Sequence, residues 1–343
     1  MSLISVLIPC HNAAPWLRKA INSVREQTHR DLEIIVYNDG STDESSAIIE
    51  RLASADRRIV AMGEDINRGI VNALNSMLAV ARGKYIARMD ADDICLPQRF
   101  ERQTRFIESS GIELCGTWFQ EFGQGIPRAV RWHSNPEELR PAMLFQNTIC
   151  HPTVMAKREV FEVFGYRESY SLAEDYDLFI RAASRFRMAN LPEVLLRYRR
   201  HSQQATKARR AAMEQITRRL RNKALEVQQI RASREELSTH NQIRAPQSIH
   251  SMEDLERIEA WLLKLVSLFE HPSAQRVIAS QWIRAAVRAS PLGWAMFRKY
   301  RHSPLHNLLA TASDDMDLAV LAALRLDYGS STFELLRRFG ISA

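Results

Sequence analysis

The amino-acid sequence predicts an α/β protein with a mostly parallel, open, Rossmann-like sheet flanked by helices, followed by a helical C-terminal region. Up to about residue 90, short apolar, β-branched segments alternate with helical patterns of ten or more residues. This alternation is typical of βαβ units and a parallel sheet. Beyond His201 the strand pattern stops, and apolar residues recur every three or four positions. Crossovers between parallel strands are right-handed, which favours a doubly wound sheet.

The individual elements follow from the same periodicities. In the N-terminal part, strands are predicted at 4–9, 33–38, 58–62 and 84–89, and helices at 15–27, 44–54 and 70–81. Next come a helix at 97–109 with proline in its first turn, a strand at 113–119, a helix at 136–145 and a strand at 194–199. The C-terminal region is predicted to hold a basic amphipathic helix at 211–230, a linker at about 238–250, and helices at 255–269 and 275–289. We therefore expect a catalytic domain at 1–205 and a helical region at 206–343.

The positive charge of the chain is local. The formal net charge is +7, but residues 197–234 hold twelve Lys or Arg against two Glu, a charge of +10 that leaves the remainder at −3. Four scattered cysteines argue against a disulfide framework or a zinc site and indicate a reducing compartment. The chain starts without a basic leader, and no apolar run approaches the ~18 residues of a membrane span. These features predict a cytoplasmic protein.

An acidic segment follows the predicted strand at 84–89. Asp90, Ala91, Asp92 and Asp93 lie at its carboxyl end, where open α/β sheets bind their ligands. Two carboxylates two residues apart suit a divalent cation, which in turn can hold a diphosphate. The alternative is a solvated acidic turn.

Two other strand ends carry polar side chains. His11 and Asn12 follow the first strand, and Asn12 can donate to a phosphate or cap the next helix. Asp39 follows the second strand and is placed to accept a hydrogen bond from a ring N–H of a base, while Gly40 permits a tight turn. Capping explains the adjacent 41–43 segment by itself but leaves Asp39 without a role.

Two helix starts carry charged residues. Arg68 and Gly69 precede the helix at 70–81, where an arginine can contact a phosphate or simply lie on the surface. Glu174, Asp175 and Asp177 open another helix. Three carboxylates in four residues exceed what the helix dipole requires, so one of them can serve as a general base for a hydroxyl nucleophile.

Together these segments resemble the inverting glycosyltransferases of family 2, which have the GT-A nucleotide-sugar-binding fold. The resemblance covers about residues 2–201. It implies that Pro9 and His11 line the base site with Asn12 beside them, and that Asp39 binds uracil N3. The remaining positions that the resemblance implies are Arg68 and Gly69 near the nucleotide, Asp90 and Ala91 at the donor ribose or sugar, Asp92 and His201 at Mn²⁺ or Mg²⁺, and Asp175 as the base.

The resemblance also implies a function: transfer of a sugar from a nucleotide-sugar donor to a glycan or lipid-linked glycan, in cell-surface polysaccharide synthesis. A UDP-sugar is the expected donor, and a dTDP-sugar stays open because thymine offers the same ring N–H. A sugar-nucleotide pyrophosphorylase is disfavoured because no Gly-rich basic signature follows the first strand. A non-catalytic nucleotide-sugar-binding protein would need no base.

The basic C-terminal region has two interpretations. Trp294, Phe297 and Tyr300 lie among Arg and Lys, so the region can rest on the inner face of an anionic membrane. Alternatively it is a solvated subdomain that packs on the core or forms a homodimer. No aromatic-interleaved basic motif supports nucleic-acid binding.

Overall fold

The structure of the chain is a computed structural model. It describes residues 2–201, 210–245, 247–309 and 312–338. The chain divides into two compact units, Met1–Leu139 with Gln146–Lys223, and Arg140–Phe145 with Ala224–Ala343. The boundary predicted between residues 205 and 206 lies outside the described residues.

The first unit contains the α/β part of the chain. Its strands are β1 (Ile4–Cys10), β2 (Leu32–Asp39), β3 (Ile59–Glu64), β4 (Tyr85–Arg88), β5 (Ile94–Cys95), β6 (Leu114–Gly123), β7 (Arg128–Val130), β8 (Met155–Lys157) and β9 (Met188–Arg200). Its helices are α1 (Ala14–Arg25), α2 (Ser45–Ala55), α3 (Ile70–Val80), α4 (Arg99–Ser110), α6 (Arg158–Val163) and α7 (Glu174–Ala182). A further helix, α5 (Pro136–Ala142), crosses the division between the units.

The described strands form one mixed sheet in the order β3-β2-β1-β4-β8-β6-β9-β5, with β7 paired to β6. The strands β3, β2, β1 and β4 are parallel, as predicted. The short strand β8 then runs antiparallel to both β4 and β6. The pair β6 and β9 is parallel, and β5 and β7 add antiparallel edges. The open α/β sheet is therefore confirmed, and it is mixed rather than mostly parallel.

The antiparallel strands are the ones that the sequence did not predict. The strands β5, β7 and β8 have only two or three residues each, too few for a periodic pattern to be recognised. The last strand begins at Met188, six residues before the predicted start, and a β-bulge interrupts its pairing with β6 near Trp118. The bulge breaks the two-residue alternation on which strand prediction depends.

The core of this unit lies where the parallel strands meet their helices. Ile4, Val6 and Ile8 of β1 are fully buried because a central parallel strand is covered on both faces. Helix α1 turns Leu17 and Ile21 toward them, three or four residues apart on one face. This packing fixes the carboxyl ends of β1, β2 and β4 along one edge of the sheet.

The second unit is helical. It contains the helices α9 (Arg234–Gln242), α10 (Met252–Ser267), α11 (Pro272–Arg288), α12 (Trp294–His302), α13 (Ala312–Leu324) and α14 (Ser331–Arg338). Helix α8 (Arg210–Val227) corresponds to the predicted basic helix and crosses the division between the units at Lys223. None of the helices in the described residues is long and apolar enough to cross a membrane.

The linker predicted at 238–250 is wrong in its first part, which belongs to helix α9. Ser233 accepts a hydrogen bond from the backbone N–H of Glu236, and the Glu236 side chain accepts one from Ser233, a capping box that starts the helix. His240 is fully buried, accepts a hydrogen bond from the indole of Trp261 at 3.1 Å, and donates to the Leu144 carbonyl at 2.9 Å. These buried partners stabilise a helix whose polar sequence looks like a loop.

Only some of the aromatic and basic residues of α12 are exposed. Trp294 is half-exposed and its ring contacts Phe297 edge-on, at 5.5 Å between centroids. Tyr300 is instead buried, and Lys299 is paired with Glu259 inside the same unit. Of the aromatic residues predicted to face a membrane, Tyr300 is therefore excluded by its burial.

Candidate active site

The end of β2 is tied to the start of α3 by a buried carboxylate. Asp39 is 4% exposed and accepts hydrogen bonds from the backbone N–H groups of Arg68 at 2.7 Å and Gly69 at 2.9 Å. Gly40 makes this approach possible, because a Cβ atom there would lie 2.4 Å from the backbone nitrogen of Asn67. Asp39 thus has a structural role that capping patterns did not reveal. A carboxylate has about four lone-pair sites, so two remain for a ligand.

His11 and Asn12 lie beside this carboxylate. The Nδ1 atom of His11 is 2.8 Å from the backbone oxygen of Asp39, which makes Nδ1 the donor and leaves Nε2 as the acceptor. Asn12 adopts a left-handed φ of 51°, and its side-chain oxygen accepts from the N–H of Thr42 at 2.8 Å. The predicted helix cap at Asn12 is wrong, since the backbone N–H of Ala14 is bound by the Asp43 side chain at 3.0 Å.

Pro9 and Arg68 flank this region differently. Pro9 is partly buried in β1, in register with Tyr37 of β2. The guanidinium of Arg68 is more than half exposed and forms an ion pair with Glu64 of β3. Arg68 therefore contributes its backbone N–H to the site, while its guanidinium group pairs with the carboxylate of Glu64.

Three carboxylates converge after β4. One oxygen of each of Asp90, Asp92 and Asp93 lies within 4.8 Å of the others, with Ala91 buried between them. Nε2 of His201, at the end of β9, lies 2.9 Å from Oδ2 of Asp92. The structure therefore brings the predicted metal ligands Asp92 and His201 together and adds Asp93, which was not among the predicted site residues.

Burial and mutual repulsion dominate the electrostatics of this acidic cluster. Burial, followed by the charge of Asp90, raises the pKa of Asp92. Burial and both neighbouring carboxylates raise the pKa of Asp93 well above its usual range. The N–H of Arg199 donates to one oxygen of Asp93 at 2.7 Å, and the other oxygen is buried without a hydrogen-bond partner among the described residues. Oxygen donors with one imidazole, and an unsatisfied buried oxygen, fit a divalent cation such as Mn²⁺ or Mg²⁺.

His201 is also held by an aromatic ring. Trp16, on the first turn of α1, lies 4.3 Å from His201 between ring centroids, with an angle of 34° between the planes. Sequence reasoning missed Trp16, because nothing in a helical pattern indicates that a distant strand end will reach it. The stack limits the rotation of a residue that already contacts Asp92.

The second chemical centre is the first turn of α7. Asp175 is partly buried, and its Oδ2 accepts a hydrogen bond from the side-chain amide of Asn147 at 2.7 Å. Burial raises the pKa of Asp175. Asp177, in contrast, is fully buried between the guanidinium groups of Arg167 and Arg181 and is structural. The three carboxylates of this turn therefore have separate roles.

Glu174 precedes Asp175 on α7 and belongs to a buried polar group. Burial, followed by the charge of Asp175, raises the pKa of Glu174 to about 7. Its Oε1 is 3.9 Å from Nδ1 of His151, and Nε2 of His151 is 2.8 Å from the hydroxyl of Tyr166. Burial, followed by the charge of Arg88, holds the pKa of His151 well below its usual range, so the ring is neutral.

Arg88 connects the two centres. It is 4% exposed, forms an ion pair with Asp90, and favours the ionised forms of both Glu174 and Asp175. Sequence analysis assigned no role to Arg88, although a cation at the end of a buried strand requires an acidic partner. The site therefore combines a candidate cation site and a candidate base around one buried guanidinium.

The amino-acid sequence is similar to those of known glycosyltransferases. The family model Glycosyl transferase family 2 matches residues 5–164. An uncharacterized glycosyltransferase of Haemophilus influenzae is 33% identical over 218 residues, which are 60% of this chain and 67% of that protein. The O-antigen biosynthesis glycosyltransferase WbnJ of Escherichia coli is 31% identical over 222 residues, 62% of this chain and 86% of that protein.

Two solved structures share the fold. S. aureus TarS, in complex with UDP-GlcNAc, is similar with a TM-score of 0.55 at 17% identity, covering 94% of this chain and 91% of TarS. The mannosyltransferase PcManGT from Pyrobaculum calidifontis, in complex with GDP-Man and Mn²⁺, has a TM-score of 0.50 at 17% identity, covering 94% of this chain and 86% of that one. With the sequence relatives, they lead to one conclusion: the chain belongs to glycosyl transferase family 2, is a glycosyltransferase and has the GT-A fold.

Proposed function

We propose that this glycosyltransferase moves a sugar from a UDP-sugar to an acceptor hydroxyl with inversion at the anomeric carbon. The observation that carries the proposal is the pair of centres around Arg88, an acidic cluster at Asp92 and a partly buried carboxylate at Asp175. The first suits a diphosphate held by a cation, and the second suits proton removal from a hydroxyl.

The donor nucleotide is proposed to lie at the ends of β1 and β2. Asp39 retains lone pairs for a ring N–H of the base, with Pro9 and His11 beside it. TarS has been solved with UDP-GlcNAc, which supports uracil, whereas PcManGT holds GDP-Man. A dTDP-sugar is the second candidate because thymine presents the same N–H. Asn12, Gly69, Asp90 and Ala91 complete the proposed donor site.

A divalent metal ion, Mn²⁺ or Mg²⁺, is proposed at Asp92 and His201. PcManGT was solved with Mn²⁺, and the acidic cluster offers the oxygen donors that such cations prefer. When bound, the ion would offset the negative charge that develops on the departing diphosphate. Asp93, one buried oxygen of which has no hydrogen-bond partner among the described residues, is available to the same site.

The protein's own part in the reaction is proton transfer and orientation. The carboxylate of Asp175 takes the proton of the acceptor hydroxyl as that oxygen bonds to the anomeric carbon. The bond from this carbon to the diphosphate oxygen breaks, and the nucleoside diphosphate leaves with the electron pair. A single displacement places the new bond opposite the old one, so an α-linked donor yields a β-linked product.

The wider role is proposed to be synthesis of a cell-surface polysaccharide on a glycan or lipid-linked glycan acceptor. WbnJ is named for O-antigen biosynthesis, which supports this class of acceptor. We assign residues 1–205 to catalysis and 206–343 to a helical accessory region. The half-exposed Trp294 with the exposed Arg298 supports contact with the inner face of a membrane, and a homodimer through this region is the alternative.

The test is a donor screen with one site variant and one control variant. Purified protein, Mn²⁺ and a panel of UDP-, dTDP- and GDP-sugars are assayed for release of nucleoside diphosphate, with and without EDTA. We expect EDTA-sensitive turnover of one UDP-sugar, and a loss of roughly 100-fold or more in Asp175→Asn with UDP binding unchanged. Asp65→Asn, on an exposed loop, is the matched control. Near-wild-type turnover by Asp175→Asn would refute the assignment of the base.

A further inference from the structure

We propose that Asn147 is a positioning residue for Asp175, holding the base carboxylate in one orientation through its side-chain amide. The inference rests on the proposed function, since it takes Asp175 as the base. Asn147 lies 28 residues before Asp175, in the loop that precedes β8, and no pattern in the sequence connects them.

Both oxygens of the carboxylate have a donor. Oδ1 of Asp175 accepts from the backbone N–H of Tyr176, and Oδ2 accepts from Nδ2 of Asn147, each at 2.7 Å. These lengths are typical of hydrogen bonds to an ionised acceptor. The Tyr176 contact belongs to the same helical turn and moves with it, so Asn147 is the donor that fixes the carboxylate relative to the sheet.

The orientation of the Asn147 amide is determined by its other partner. The backbone N–H of Ile149 donates to Oδ1 of Asn147 at 3.2 Å, so the NH₂ group must face Asp175. The loop itself is anchored, because the fully buried Asn190 donates to the carbonyl of Thr148 at 2.8 Å. A donor held in this way meets the requirement that the residue supporting a catalytic group is itself fixed.

The charge on Asp175 depends on the same contact. Burial raises the pKa of Asp175, while the N–H of Tyr176, the charge of Arg88 and the amide of Asn147 lower it. A general base must be ionised to accept a proton. Loss of the Asn147 amide should therefore raise the pKa of Asp175 and move the acidic limb of the rate profile to higher pH.

Glu174, Cys150 and Tyr166 also interact electrostatically with Asp175, and they do not reproduce this effect. Glu174 precedes it on α7, and burial raises the pKa of Glu174 to about 7. Cys150 and Tyr166 face it from the loops beside β8 and α6, and burial raises the pKa of each, so both stay neutral near pH 7. A limb set by Glu174 would disappear in a Glu174→Gln, Asn147→Ala double variant, whereas a limb set by Asp175 would persist there.

The experiment compares pH profiles of kcat/KM between pH 5 and 9 for wild type, Asn147→Ala and Asn147→Asp. In Asn147→Ala we expect the acidic limb to rise by roughly one to two pH units, with a matching loss of rate below neutral pH. Asn147→Asp places a second carboxylate against the first, so its limb should rise further. Asn75→Ala is the matched control, because both ends of the Asn75 amide are hydrogen-bonded to the backbone of Tyr166 and neither is bonded to Asp175.

The outcomes separate this inference from the proposed function. If Asn147→Ala lowers the rate equally at all pH values, as Asn75→Ala should, Asn147 is merely structural and the inference fails. Should Asn147→Ala fold poorly by circular dichroism, the limb of Asn147→Asp, whose side chain is nearly the same size, decides the question. Retained turnover by Asp175→Asn would overturn the assignment of Asp175 as the base. If Asp175→Asn is inactive but the acidic limbs of the Asn147 variants lie at the same pH as that of wild type, only the inference about Asn147 is overturned.

Discussion

Asp39 provides a direct test of how the donor end of the site is built, because removal of its side chain should unfold the loop at the start of α3. Its buried carboxylate accepts two backbone N–H groups, from Arg68 at 2.7 Å and Gly69 at 2.9 Å. Asp39→Ala would leave the N–H of Arg68 without an acceptor among the described residues, and the N–H of Gly69 with only Oδ1 of Asn67, at 3.1 Å. Asp39→Asn would keep one of the two hydrogen bonds, because the amide oxygen can serve one N–H while its NH₂ group faces the other.

The size of the effect follows from these contacts. A donor left without its acceptor in a buried place costs about 1–3 kcal/mol of unfolding free energy. Gly69 is partly exposed, so water can replace part of the loss there. Oδ1 of Asn67 also still accepts from the Gly69 N–H, so we expect Asp39→Ala to lower the free energy of unfolding by about 1–3 kcal/mol and Asp39→Asn by a smaller amount.

Urea unfolding of the full chain, followed by circular dichroism with and without UDP, measures both quantities. Asp65→Ala is the control, since Asp65 lies exposed on the loop just before Arg68. If Asp39→Ala unfolds within about 0.5 kcal/mol of wild type, as a surface substitution would, the two hydrogen bonds do not hold this loop. In that case the carboxylate of Asp39 would serve only to bind the nucleobase of the donor.

Two further variants test other parts of the site. Trp16→Ala should weaken Mn²⁺ binding about 2- to 10-fold, because an aromatic pair contributes about 0.5–1.5 kcal/mol, whereas Trp16→Phe should retain the affinity. Titration of Mn²⁺ in the presence of UDP, followed by electron paramagnetic resonance, measures these affinities. Equal affinities of Trp16→Ala and wild type would exclude a role for the stack. The pKa of Glu174 is raised to about 7, so between about pH 4.5 and 7 the folded chain keeps a proton that the unfolded chain releases. The contribution of Glu174 to the free energy of unfolding therefore falls as the pH rises through this range. Glu174→Gln should therefore gain stability relative to wild type between pH 5 and 8 by urea unfolding, and a pH-independent difference would contradict the shift.

The parts of the fold that sequence predicts are those with a long repeating pattern. The first three strands, at Ile4–Cys10, Leu32–Asp39 and Ile59–Glu64, were predicted to within two residues because each lies in a βαβ unit with its own helix. The strand Met155–Lys157 was not predicted, although it sets the sheet's change from parallel to antiparallel. A three-residue strand that pairs with a neighbour on each side is fixed by those neighbours rather than by its own periodicity.

The site shows the same limit. Asp39, Asp92 and Asp175 could be predicted because each is a carboxylate at the end of a strand or the start of a helix, in a motif with fixed spacing. Asn147 and Trp16 could not, because they reach the site from a loop and a helix whose own sequences carry no sign of it. Residues that position a functional group are identified from tertiary contacts and not from local sequence patterns.

The central position of Arg88 implies that the two ends of the site cannot be adjusted independently. Its buried guanidinium pairs with Asp90 at the acidic cluster, yet the same charge also lowers the pKa of Asp93 and Asp175. Two of its nitrogens, Nε and Nη1, have no hydrogen-bond partner among the described residues, so ion pairing is its main compensation for burial. A substitution at Asp90 would leave this cation less neutralised and its effect on Asp175 stronger. Changes at the donor end should therefore alter the ionisation of the base without touching it.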